Sequence, residues 1–150
     1  AAAGQVLARA KVNALKLEAV KYYYIPSKDI GLAGIVAKPT PELLKLQQEL
    51  IAAVTPFTVE TGDSAAFVTT PEDPVIDPAL ISYVAAFVPK GAAEHFNPHV
   101  TTGVAPREYL DQMLAEPFAP FTFSPVGAAV YQLGQFGTAA KKLKEWDLKP

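Results

Sequence analysis

Two strand-like stretches separated by a short turn constrain the fold of this chain most strongly. Residues 15–19 (LKLEA) alternate apolar and polar side chains as a half-buried strand does, and residues 31–37 (GLAGIVA) form an apolar run. The sequence Pro26-Ser27-Lys28-Asp29 between them is a turn signal. Because a connection this short joins antiparallel neighbours, the sequence predicts a β-hairpin. The alternation slips at Ala19-Val20, which predicts either a bulge in the first strand or a strand that becomes buried on both faces.

Helix signals surround this hairpin, and further strands follow towards the C-terminus. Residues 1–10 predict the end of a helix, and Thr40-Pro41-Glu42 predicts the start of another. Its apolar stripe is Leu43, Leu46, Leu50 and Val54, which indicates core packing rather than a cofactor site. A long connection over residues 62–77 precedes a helix from Asp77-Pro78, with Leu80, Ile81, Val84 and Phe87 facing inward.

The remaining elements complete the order of strands and helices from which we predict the fold class. We expect a strand near residue 100, a helix over residues 106–116 that buries Leu110, Met113 and Leu114, strands at 121–123 and 126–133, and a solvated turn at 141–144. The order β-β-α-α-β-α-β-β predicts an α+β fold, with antiparallel sheets and helices on one side.

Composition narrows the class of protein. With 150 residues, half of them hydrophobic, we expect one domain. A formal net charge of −2 argues against binding long nucleic acid by neutralising its backbone. The absence of cysteine excludes disulfides, thiolate metal ligands and cysteine nucleophiles. No apolar run approaches the ~18 residues of a membrane span, and the start at Ala1, without an initiator methionine, predicts a processed or trimmed chain.

A proline-initiated, β-branched run holds the chemically most informative residues, His99 and Thr101, within the sequence FNPHVTTGV at 96–104. In a strand, side chains at i and i+2 leave the same face about 7 Å apart. An imidazole beside a hydroxyl donor suits a phosphoryl group. A lone histidine, by contrast, more often makes only a structural hydrogen bond, and the tripeptide alone is weak evidence.

The segment Phe-Asn-Pro-His-Val-Thr, followed by glycine and a helix start at Pro106, resembles the second signature of the two-histidine phosphoesterase superfamily, in its 2′-5′ RNA ligase-like or cyclic phosphodiesterase branch. Residues 15–25, 31–37, the helix from Thr40 and the C-terminal tract with Tyr131-Gln132-Leu133-Gly134 follow the same order. The resemblance covers nearly the whole chain. It implies one lobe, plus part of the other, of a duplicated fold.

The resemblance also implies an activity: phosphodiester chemistry on a 2′,3′-cyclic phosphate or 2′-5′ linked nucleotide, without metal or other cofactor. His99 would be one acid/base and Thr101 would hold a phosphoryl oxygen. The partners would be a small phosphorylated ligand or RNA end, with no membrane, and an exported or periplasmic location is expected. A non-catalytic phosphate- or nucleotide-binding protein, or a fragment of a larger nicked enzyme, is the alternative.

Such proteins carry two His-x-Thr/Ser motifs, and this sequence contains one, so it resembles a member without the first strand, first helix and first histidine. We therefore expect an unpaired apolar edge on the strand at 126–133, covered in a homodimer or by a second chain that supplies the motif.

Five further residues are candidates for substrate binding, with core packing as the alternative for the aromatic ones; they are Tyr22, Tyr24, Phe67, Tyr131 and Gln132. His95 and His99 have the spacing of a helical zinc pair, but Pro98 argues against a helix there. No serine-hydrolase elbow or dinucleotide-binding fingerprint is present.

Overall fold

A computed structural model of the chain describes residues 1–147. They form an α+β fold, as predicted. Within them the α-helices are α1 (Ala2–Arg9), α2 (Pro41–Val54), α3 (Pro78–Ala85), α4 (Phe87–Gly91) and α5 (Arg107–Ala115). The strands are β1 (Leu17–Ser27), β2 (Ile30–Ala37), β3 (His99–Pro106), β4 (Phe121–Phe123), β5 (Gly127–Leu133) and β6 (Ala139–Asp147). None of the helices described is long and apolar enough to span a bilayer.

The chain divides into two compact units, each assembled from separate stretches. The first unit contains residues 1–15, 41–96 and the chain from 125 onward. The second unit contains residues 16–40 and 97–124. The histidine and the threonine of the His-x-Thr motif both belong to the second unit.

The second unit is built on an antiparallel sheet with the strand order β3-β2-β1-β4. The predicted hairpin is confirmed, because β1 pairs with β2 from Ser27 opposite Ile30 back to Ala19 opposite Ala37. The register shifts between Ala19 and Lys21, so the predicted bulge is confirmed at Val20. Because of this bulge, Ala19 and Lys21 lie on opposite faces of the sheet although they are two residues apart.

The helix α5 covers one face of this sheet. Its Leu110 is 1% exposed, and a Cβ added at Gly31 on β2 would lie 2.7 Å from Leu110 Cδ1. The hydroxyl of Tyr24 on β1 donates a hydrogen bond of 2.6 Å to Asp111 Oδ1 of the helix. We call this the helix face; the register also places Tyr22 on it.

The opposite face carries the motif. In one row across the three strands, Lys21 pairs with Val36, which pairs with His99. In the next row, Tyr23 pairs with Gly34, which pairs with Thr101. We call this set of six residues the histidine face. It is formed by the three adjacent strands β1, β2 and β3.

The first unit has its own small core, where α1 and α2 meet. Val6, Leu7 and Val12 are buried with Leu46, and Trp146 of β6 packs against them. The apolar stripe of α2 is thus confirmed as core, although only Leu46 is fully buried, and Val54 is 37% exposed.

Three local expectations were wrong. On and after α3, Val84 and Phe87 are exposed rather than inward, and on α5 Leu114 is 47% exposed while Leu110 is buried. The stretch 141–144 is not a turn but the middle of β6. Charged side chains lower strand propensity, yet an exposed two-stranded ribbon tolerates them because they face water.

Candidate functional site

The backbone fixes His99 at the first position of β3. The N–H of Ala37 donates to the carbonyl of Pro98 at 2.8 Å, which joins the β3 entry to the end of β2. His99 Nδ1 lies 2.7 Å from the carbonyl oxygen of Asn97. Because a carbonyl can only accept, Nδ1 carries the proton and donates it. In the neutral form of the ring Nε2 would then hold the lone pair, and the side chain is exposed.

Thr101 lies on the same face, two residues further along β3 and opposite Gly34 of β2. Immediately after it the register shifts, so Thr102 has no partner and Gly103 pairs with Ala33. Gly103 adopts φ 155°, a backbone conformation that favours glycine. Bulges of this kind often adjoin active sites, where they redirect a side chain. Here the bulge ends the regular face directly after the hydroxyl.

Tyr23 is the aromatic residue that the structure brings to His99. The two ring centroids are 5.0 Å apart, and the planes meet at 63°, an edge-on contact. The Tyr23 ring reaches across β2 over Gly34, where an added Cβ would lie 2.5 Å from Tyr23 Cε1. A glycine at this position therefore makes room for the ring that supports the imidazole.

Sequence reasoning chose the two neighbours of Tyr23 instead. Tyr22 lies on the helix face, edge-on to Phe118 with centroids 4.8 Å apart. Tyr24 lies on the same face and donates to Asp111. The structure thus does not bring Tyr22 or Tyr24 to the histidine face. The signal that distinguishes the three tyrosines is the β1–β2 register, which only the folded chain supplies.

The other candidate residues belong to the first unit. Phe67 is 6% exposed, so its ring fills the core, the alternative considered for it. Tyr131 and Gln132 lie on β5, where Tyr131 is 37% exposed and its ring centroid is 6.0 Å from Lys142 Nζ. A hydrogen bond of 2.9 Å to Glu145, the charge of that carboxylate and Tyr131 together raise the pKa of Lys142.

His95 has a separate environment. It ends a short 3₁₀ turn in the first unit, and its Nε2 lies 3.5 Å from Glu94 Oε1. The two histidines therefore do not share a helix, as Pro98 indicated. Within residues 1–147 no group of three or more His, Cys, Asp or Glu side chains is arranged to hold a metal ion.

The first unit also contains a groove of about 920 Å³ between α1 and α2. Charged side chains of both signs surround it, among them Arg9 and Lys45 with Glu42 and Glu49. It includes neither member of the His-x-Thr motif. The histidine face is therefore the candidate site.

Comparisons with protein-family models, with curated proteins and with solved structures gave no match.

Proposed function

We propose that this protein is a metal-independent phosphodiesterase of the two-histidine type, acting on 2′,3′-cyclic phosphates or 2′-5′ linked nucleotides. The observation that carries the proposal is the hydrogen bond from His99 Nδ1 to the Asn97 carbonyl, with Thr101 on the same face. A backbone acceptor on one ring nitrogen orients the other towards a reacting group. Exposure of the side chain leaves that nitrogen accessible to a ligand.

The proposed step is an attack of water on a cyclic phosphate. His99 Nε2 accepts a proton from the water as its oxygen bonds to phosphorus, and the Thr101 hydroxyl donates to a phosphoryl oxygen. The bond from phosphorus to one ribose oxygen breaks, and that oxygen takes up a proton to become a hydroxyl. Phosphoryl transfer depends mainly on positioning and charge stabilisation, which a few fixed groups supply.

A single His-x-Thr motif limits the rate. One positioned acid or base raises the rate of the reaction about 10²–10⁴-fold. A chain whose leaving oxygen takes its proton only from solvent therefore reacts more slowly by a factor of that size. The proposal therefore includes a homodimer or a second chain that supplies the other motif.

The strand β5 favours such a partner. One of its edges pairs with β6, while the other has only the bridge between Leu133 and Phe67, and no further strand lies along it within residues 1–147. The sequence GAAVYQL carries neither charge nor proline, the features with which proteins protect exposed edges. The uncovered edge is thus suited to strand pairing.

The test is hydrolysis of a 2′,3′-cyclic nucleotide by the full chain. His95→Gln is the matched control, because His95 is the other histidine, is exposed and carries no role in the proposed step. We expect hydrolysis by the wild type and His95→Gln, and none by His99→Gln. Equal rates for all three proteins would contradict the proposal.

The alternative is a phosphate- or nucleotide-binding protein without turnover. The single motif favours it, because binding needs only one anion-holding group, whereas the proposed reaction gains from two. Saturable binding of a 2′-nucleotide that depends on His99, with no hydrolysis by any variant, would establish this alternative.

A further inference from the structure

The histidine face contains a cation that the His-x-Thr motif does not include. Lys21 of β1 pairs with Val36 of β2, which in turn pairs with His99 of β3. The three residues therefore form one row across the sheet, and their side chains leave the same face. Neighbouring strands are about 4.8 Å apart, so the Cα atoms of Lys21 and His99 are separated by about two such spacings.

Val36, the residue between them in the row, is apolar and buried. Val36 is 6% exposed, whereas Lys21 and His99 are both exposed. Lysine lays its methylene stem along apolar surface and keeps the ammonium group in water. The Lys21 stem can thus lie over Val36, with its charge directed towards the imidazole.

The charge of Lys21 is not neutralised locally. Elsewhere Lys38 lies 3.8 Å from Glu18, Lys45 lies 3.9 Å from Glu49, and Lys142 lies 2.9 Å from Glu145. Lys21 has no such carboxylate within the described residues. A free ammonium and a hydroxyl on the same face supply two donors for an anion.

We propose that Lys21 is the cationic group of the His99–Thr101 site and that the three side chains together bind a single terminal or cyclic phosphate. This inference rests on the proposed function, which it deepens by naming the group that supplies positive charge within this chain. Lys21 and Thr101 would each donate to one phosphoryl oxygen, with the imidazole Nε2 left to accept from the attacking water or from a phosphate hydroxyl.

The experiment follows the two histidine ring signals by NMR while inorganic phosphate is added at low ionic strength. The spectrum contains only His95 and His99, and His95→Gln assigns them. We expect saturable shifts of the His99 signals and constant His95 signals. Hydrogen bonds to charged groups contribute about 1.5–3 kcal/mol, so Lys21→Gln should weaken phosphate binding about tenfold or more.

Lys28→Gln is the matched control, because Lys28 is an exposed lysine in the β1–β2 turn of the same unit. It should leave the affinity unchanged. Equal weakening by the two substitutions would overturn the inference, since phosphate would then respond only to net charge. Constant His99 signals in the wild type would overturn it as well. Wild-type dispersion of the backbone amide signals of β1, β2 and β3 in Lys21→Gln verifies that the variant is folded.

The two proposals fail in different ways. Phosphate binding that depends on Lys21, without hydrolysis of a cyclic nucleotide, would support the Lys21 site and contradict the phosphodiesterase. Hydrolysis that depends on His99, with unchanged phosphate affinity in Lys21→Gln, would support the enzyme and reject the role of Lys21.

Discussion

Thr101 contributes a single hydroxyl to the proposed site, and its role can be tested by a substitution that removes the hydroxyl and keeps the shape of the side chain. Thr101→Val keeps the β-branched side chain on the exposed strand and removes the donor. Loss of one oxyanion donor costs about 10²–10³ in kcat, so we expect a decrease of that size in cyclic nucleotide hydrolysis. Thr101→Ser should retain most of the rate. Thr122→Val, on β4, is the control, and a comparable loss there would reject the assignment.

Gly34 provides the space in which Tyr23 supports His99. An added Cβ would lie 2.5 Å from Tyr23 Cε1 and 3.0 Å from the Val100 carbonyl oxygen. Relief requires movement of the ring or of β3, and overpacking of this kind costs about 1–3 kcal/mol. We expect Gly34→Ala to lower the free energy of unfolding in urea by that amount and to shift the His99 ring signals.

Gly62→Ala is the control for this substitution, since nothing lies within 4 Å of the added Cβ. Wild-type stability and unshifted His99 signals in Gly34→Ala would contradict the packing of Tyr23 described above.

The sequence does not determine which β1 side chains share a face with His99 and Thr101. The spacing of His99 and Thr101 placed them correctly on one face of a strand. It could not say which of three consecutive tyrosines would join them, because a one-residue shift in register moves every side chain to the other face. The slip at Val20 was visible in the sequence, but its effect on Tyr23 depends on pairing with Gly34.

The helix α5 packs on the helix face of the sheet through Leu110. Leu110 is 1% exposed and Leu114, on the same helix, is 47% exposed. A buried leucine truncated to alanine costs about 2–5 kcal/mol. We expect that loss for Leu110→Ala, and a change within about 0.5 kcal/mol for Leu114→Ala. Urea denaturation measures both, and equal losses would mean that α5 packs through another side.

The elements themselves were predictable where pattern and local chemistry agreed. The turn signal at Pro26-Ser27-Lys28-Asp29 located the hairpin, although Pro26 and Ser27 belong to β1, and Thr40-Pro41 located the start of α2. Periodicity failed for Val84 and Leu114, because it identifies an apolar stripe but not how much of the stripe finds a partner. The charged run at 141–144 predicted a turn, whereas these residues lie in the exposed strand β6.

We expect the whole molecule to self-associate through the edge of β5 that does not pair with β6. Light scattering at micromolar concentration should give a mass above the 16.0 kDa of one chain. Val130→Glu places a carboxylate on β5 opposite Lys144, which retains pairing with β6 while introducing repulsion between two copies of the edge. We expect this variant to be a monomer. A monomeric wild type with no second chain bound would reject a partner at β5.

Hydrolysis of a 2′,3′-cyclic nucleotide in the presence of EDTA tests the central claim most directly. His99 acts through the lone pair of Nε2, and the proposed step uses no metal, so kcat/KM should be unchanged by EDTA. The activity should persist in His95→Gln and disappear in His99→Gln. Activity that is lost in EDTA and restored by Zn²⁺, or activity unchanged by loss of the His99 imidazole, would contradict the account.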